Sequence, residues 1–97
     1  MVRAIVLNSQ DNVATLIDSG GAADTTVELR GEKQGTVMLK QDIPFGHKVA
    51  LADMDVGAEI LKYATVVGET TAAISVGEHV HIHNVDSKRG RGDKTTS

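Results

Sequence analysis

No stretch of this chain keeps the i, i+3, i+4, i+7 apolar spacing of an amphipathic helix over three turns. Its apolar runs are short, rich in Val, Ile and Thr, and interrupted by ten glycines against a single proline, Pro44. β-Branched residues suit a pleated surface and glycine suits the tight turns between short strands, so the pattern predicts an all-β domain. Strands are expected at residues 3–7, 13–17, 25–29, 35–39, 48–51, 59–61, 66–69 and 79–85, with turns at Ser19-Gly20-Gly21 and Arg30-Gly31-Glu32.

The 97 residues make one domain, large enough to bury roughly two-thirds of the surface its unfolded chain exposes. Phe45 and Tyr63 are the only aromatic residues. The core must therefore be built from Val, Ile, Leu and Ala, and docking on a partner would strengthen it. The absence of cysteine excludes a disulfide framework, a thiolate metal site and a cysteine nucleophile. A net charge of −3 gives no electrostatic basis for nucleic-acid binding. The apolar start, Val2 to Leu7, is too short for a signal peptide or a membrane span, which makes the cytoplasm the expected compartment. Residues 86–97 are charged and small, without apolar anchors; a flexible tail is expected there and a folded domain over residues 1–85.

One segment echoes another. Ala52-Asp53-Met54-Asp55-Val56-Gly57-Ala58-Glu59-Ile60 recurs as Ala72-Ala73-Ile74-Ser75-Val76-Gly77-Glu78-His79-Val80. Two copies are too few for a solenoid. They fit either a compact β fold that turns two corners the same way or chance similarity in a Gly/Val/Ala-rich chain.

Three of the four histidines alternate in Gly77-Glu78-His79-Val80-His81-Ile82-His83-Asn84-Val85. On a strand these rings share one face, with neighbours about 6.6 Å apart and His79 and His83 about 13 Å apart. Two adjacent imidazoles at that spacing can converge on one cation with bonds near 2.1 Å; three cannot without a bend. The pair His81/His83, followed by Asn84, is expected to matter more than His79, which lies where the strand only begins. The plain alternative is a solvated polar face. A second feature is Asp42-Ile43-Pro44-Phe45-Gly46-His47-Lys48, where Pro44 and Gly46 frame a turn. That turn is expected to project His47 and Lys48 side by side, a proton-transfer group next to a point charge suited to an anion. Lys62-Tyr63 is a weaker signal, either a lid on the core or a phenol facing substrate. In Arg89-Gly90-Arg91-Gly92-Asp93, the arginines can grip a carboxylate bidentately from a flexible tail.

Taken together and in order, Asp11-Asn12-Val13-Ala14-Thr15, Ile43-Pro44-Phe45-Gly46-His47-Lys48-Val49-Ala50, Ile60-Leu61-Lys62-Tyr63 and the 77–84 histidine run resemble the N-terminal domain of altronate and galactarate dehydratases. In some bacteria that domain is a separate small subunit. The resemblance implies a β-clip fold like that of antifreeze-like (SAF) domains. It implies loss of water from a sugar acid to give a 2-keto-3-deoxy acid, with a divalent metal such as Fe2+ or Mn2+ bound mainly in complex with a large catalytic subunit. On that basis His47, His81 and His83 are the expected catalytic residues, and Lys48, Asn84, Arg89 and Arg91 the expected substrate contacts. His81 and His83 are the expected metal ligands, completed by the large subunit. Nucleic acid and membranes are not expected partners, and self-association is open to the isolated chain. Residues 18–33 match no family motif and are expected to form a variable hairpin. Sulfolactate sulfo-lyase, a sister activity with a similar small subunit, is the nearest alternative. A non-catalytic β-clip module that binds carbohydrate or metal is another, and a purely structural subunit a third.

Overall fold

The computed structural model describes residues 2–87, of Ser87 the backbone alone. Among them there is no helix, and hence none long and apolar enough to cross a membrane. The strands are β1 (Val2–Val6), β2 (Val13–Leu16), β3 (Thr26–Gly31), β4 (Gly35–Met38), β5 (Lys48–Ala50), β6 (Glu59–Lys62), β7 (Thr65–Thr70), β8 (His79–Val80) and β9 (Val85–Ser87). They form a six-stranded sheet, β4-β3-β1-β2-β5-β8, and a three-stranded sheet, β6-β7-β9. All pairings are antiparallel except β1 with β3.

The first seven expected strands are present within a few residues of their expected bounds. The eighth is not continuous. Residues 81–84 form a turn, closed by the Asn84 amide donating to the His81 carbonyl at 3.1 Å, which separates β8 from β9. Asp86 and Ser87 belong to β9 and pair with β7, so the ordered domain runs past Val85. The hairpin expected over residues 18–33 is corrected as well: β3 lies parallel to β1 and hairpins with β4 instead. A parallel pairing needs a crossover, and local turn signals cannot announce it.

The echo seen in the sequence is structural, and it has four copies. Met54 and Ile74 exchange both backbone hydrogen bonds, at 2.7 and 2.8 Å, and Gly21 and Ile43 do the same at 2.8 Å each. A four-residue turn follows each bridge residue: 22–25, 44–47, 55–58 and 75–78, each closed by an i to i+3 backbone bond of 3.0 to 3.1 Å. The third turn residue has positive φ in every copy: Asp24 (69°), Gly46 (83°), Gly57 (87°) and Gly77 (91°). That is the demand of a type II turn, met three times by glycine and once by Asp. Asp42 and Asp53 tie the turns together across each bridge, accepting the Ala23 and Val76 amides at 2.8 and 2.9 Å. Gly77 has a second constraint, because a Cβ there would lie 2.2 Å from the Met38 carbonyl oxygen.

The core is aliphatic, as the composition requires, and divides in two. One cluster gathers Val6, Leu16, Val27, Leu39, Ile43 and Val49; the other gathers Val13, Ala50, Met54, Ile60, Ile74 and Val80. Consecutive residues of β5 serve both, Val49 the first and Ala50 the second, because neighbours on a strand point to opposite faces.

Candidate functional site

The site lies where β8 ends the six-stranded sheet. Its register with β5 pairs Lys48 with Val80 and Val49 with His79. One step further along the same ladder sets His47 opposite His81, and directly opposed side chains on an antiparallel pair stand about 5 Å apart at Cβ. The rings accordingly stack, with centroids 4.0 Å apart and planes 24° from parallel. His79 lies on the same face and neighbours all three other rings: His47 at 5.0 Å, His81 at 5.6 Å and His83 at 4.9 Å. His47 Nδ1 and His79 Nε2 are 2.8 Å apart, a hydrogen bond in which one ring donates and the other accepts.

The backbone under these rings is held from several sides. Gln41 Oε1 accepts the His79 amide at 2.9 Å. Asn84, itself buried, accepts the His81 amide on Oδ1 at 3.0 Å and donates from Nδ2 to the His79 carbonyl at 2.8 Å. The Pro44–His47 turn and the Leu16 amide, which donates to the His47 carbonyl at 3.0 Å, position His47. Among the described residues, the hydrogen bond and ring contacts of the imidazoles are with one another. Burial, followed by the nearby charges of His83, His47, His81 and Lys48, pushes the His79 pKa down to about 4. Burial and the same kinds of neighbour lower His81 as well. Both rings are thus held neutral, with lone pairs available.

His47 and Lys48 do not project side by side. They are successive residues entering a strand, so alternation sends them to different faces. His47 joins the histidines, while Lys48 lines an open pocket of about 210 Å³ with Ile60, Val67, Val80, His81, Ile82 and Val85. Burial lowers the pKa of Lys48, and the charge of Lys62 adds to the effect.

Of the residues named from sequence, His47 and His81 come together here, His83 joins through its contact with His79, and Lys48 meets His81 only in the pocket on the other face. Asn84 spends both ends of its amide on backbone. Arg89 and Arg91, with residues 88–97 generally, lie outside the described residues. The strand period alone ranked His79 behind its neighbours, yet it is the ring that meets all the others; its alternation with His81 was the available signal. Nothing in the sequence marks Gln41.

Three ring nitrogens, one each from the half-buried His47, His79 and His81, lie within 4.8 Å of one another. Neutral imidazoles in such a cluster fit a divalent transition metal, and the 2.8 Å separation within the His47/His79 pair is close to the roughly 3 Å edge between two cis nitrogens bonded at 2.1 Å.

Fold and site together define a β domain with a nitrogen-rich, partly desolvated centre at a sheet edge. The chain belongs to the altronate/galactarate dehydratase SAF domain family, whose pattern matches residues 2–88. It is 40% identical over 81 residues to the altronate dehydratase of Escherichia coli (strain K12), covering 82% of this chain and 15% of that protein. It is 43% identical over 51 residues to the (2R)-sulfolactate sulfo-lyase subunit alpha of Chromohalobacter salexigens, covering 53% of this chain and 54% of the relative. With the corresponding subunit of Paracoccus pantotrophus it shares 46% identity over 50 residues, 52% of this chain and 75% of the relative. The chain thus spans about a seventh of the dehydratase it matches and about half of the first of these subunits.

Proposed function

We propose that this chain is the small subunit of a lyase that eliminates water from a sugar acid to give a 2-keto-3-deoxy acid, acting with a large catalytic subunit. The observation that carries this reading is the cluster of His47, His79, His81 and His83 at a sheet edge, with Lys48 beside it and too little surface in one small domain to enclose a sugar acid. The α-hydrogen of a hydroxy acid is barely acidic. A base must take that proton while the C–H electron pair moves toward Cβ, and an acid must protonate the departing β-hydroxyl so that it leaves as water. The resulting enol then ketonises.

An imidazole can take the α-proton as base and, once protonated, give it to the departing hydroxyl as acid; His47, His81 and His83 are the groups assigned to these transfers. Lys48 is assigned the substrate carboxylate as a point charge. Asn84 orients the loop that carries two of the rings, and Arg89 and Arg91 are assigned the far end of the substrate. A divalent metal such as Fe2+ or Mn2+, held by histidines of this chain and groups of the large subunit, would stabilise the negative charge that builds on the enediolate.

Two relatives named as alpha subunits of (2R)-sulfolactate sulfo-lyase, half and three-quarters covered by this chain, favour a second reading. There sulfite leaves by the same enediolate logic. Co-expression with a dehydratase-type large subunit, followed by assay on altronate, galactarate and sulfolactate with Fe2+ or Mn2+, decides between them. Turnover of a sugar acid by the complex and none by either chain alone is the expected result. Turnover of sulfolactate alone selects the second reading, and no turnover of any of the three removes both.

A further inference from the structure

We infer that His47, His79 and His81 form a three-nitrogen site on which this chain, without a partner, binds one first-row transition dication. The family reading places metal binding mainly in the assembled enzyme; this inference goes beyond it and stands on the cluster alone, and with the ion held by His47, His79 and His81 the proton transfers fall to His83. Three observations support it.

The first is convergence. One nitrogen from each ring lies within 4.8 Å of the others, and His47 Nδ1 and His79 Nε2 are already 2.8 Å apart. A shared ion with bonds near 2.1 Å needs separations of roughly 3 Å. Because the His47 and His81 rings stack with 24° between their planes, one of them must turn to bring both lone pairs onto the ion. We assign that rotation to His81, which lies on the 81–84 turn beyond the last residue of β8.

The second is preorganisation. The chain positions carrying the rings are fixed without using the rings. Gln41 and Asn84 hold the backbone of His79 and His81 by three side-chain hydrogen bonds of 2.8 to 3.0 Å, and the Pro44–His47 turn and the β2 contact hold His47. Little ordering entropy is left to be lost when an ion arrives.

The third is the chemistry of the donor set. It contains imidazole alone and no carboxylate, which selects the softer divalent ions of the iron-to-zinc series and disfavours magnesium and calcium, both of which demand oxygen ligands. Three protein ligands also leave coordination positions for water or a substrate oxygen, the pattern of catalytic rather than structural sites.

The test is a Co2+ titration of the metal-free full-length chain, read by ligand-field absorption and by calorimetry. Saturable binding of one ion per chain is expected, undisturbed by a large excess of Mg2+. His79→Ala and His81→Ala should each weaken it by about 100-fold or more, and His83→Ala by less than about 3-fold, since His83 is not among the three rings whose nitrogens converge. Far-UV circular dichroism accompanies each variant; should His79→Ala fail to fold, His81→Ala, on a turn, still gives the answer. Absence of saturable binding, displacement by Mg2+, or an unchanged affinity in His81→Ala would overturn the inference. Activity of the assembled complex is not the readout, so the lyase reading and the cation site can fail separately.

Discussion

Two regions of this domain gather polar side chains, and they use them in opposite ways. At the start of β2, Asp11 is almost completely buried. Its carboxylate accepts the Asn8, Tyr63 and Ala64 amides at 3.2, 2.7 and 2.8 Å. Next to it, Asn12 accepts the Leu61 amide and donates to the Glu59 carbonyl. Together they fasten the β6–β7 hairpin, whose tip places Tyr63 and Ala64 at φ of 58° and 59°, a left-handed pair that non-glycine residues avoid without support. Both carboxylate oxygens of Asp11 are thus spent on holding the chain. At the β8 edge the backbone is held just as firmly, yet among the described residues the one hydrogen bond of the histidine ring nitrogens joins His47 to His79. A fold that satisfies its buried polar groups in one place and leaves a cluster of basic nitrogens available in another separates the part that stabilises from the part that acts.

The contrast is broken most forcefully at Asp11. Replacing it with Ala leaves three amides without their acceptor and should lower stability by about 3 kcal/mol or more, seen in urea denaturation, while a variant that still folds keeps its Co2+ affinity. A loss of ion binding without a loss of stability would contradict the division. The converse test is His81→Ala in the assembled complex. A rate reduction of roughly 100-fold, the usual cost of a lost proton-transfer group, is expected, with stability changed by less than about 0.5 kcal/mol. Parallel His79→Ala and His83→Ala variants sharpen it. A flat strand makes His83 the more important of the two, whereas the observed cluster puts His79 at the crossing of all four rings, so the order of their rate losses reports which geometry governs turnover.

Asn84 sits on the boundary between the two behaviours, a buried fold-type residue beneath the site. Asn84→Ala removes both of its bonds to the 79–81 backbone and should lower stability by about 1–2 kcal/mol. It should also weaken ion binding about tenfold, as lost supporting shells do, with Asn84→Asp restoring the bond to the His81 amide and part of the affinity. The last test is the dependence of stability on pH. His79 has a pKa of about 4 in the folded chain against 6.5 as its ordinary value. Between those values the unfolded chain holds a proton that the folded chain lacks, so stability should fall as pH drops from 6.5 to about 4 and gain no further slope from this group below that. Urea midpoints of the metal-free chain against those of His79→Gln isolate the contribution, since the variant lacks that part of the slope while the carboxylates common to both cancel. His81, also lowered, acts in the same direction in both proteins.

Much of this was legible from residues alone. The all-β class follows from glycine-punctuated β-branched runs, and one pair of corners from the echo between residues 52–60 and 72–80. The other pair escaped because Asp24 replaces the turn glycine in one copy and Pro44-Phe45 fills the turn of the other. Asp can occupy the left-handed region, so the turn survives the change while the pattern in letters does not.

The sequence by itself determined the chemical inventory: four histidines, no thiol, an aliphatic core and short strands. It also determined which residues alternate, because the two-residue period of a strand is a local property. Tertiary structure decided the rest. The β5–β8 ladder joins residues 32 positions apart and brings His47 onto His79, while the same alternation turns Lys48 away to the other face. The turn at 81–84 ends the strand that would have spread three histidines along about 13 Å, and lets His81 and His83 gather around His79 instead. Pairing register and the place where a strand stops depend on contacts between distant segments, which no local period encodes.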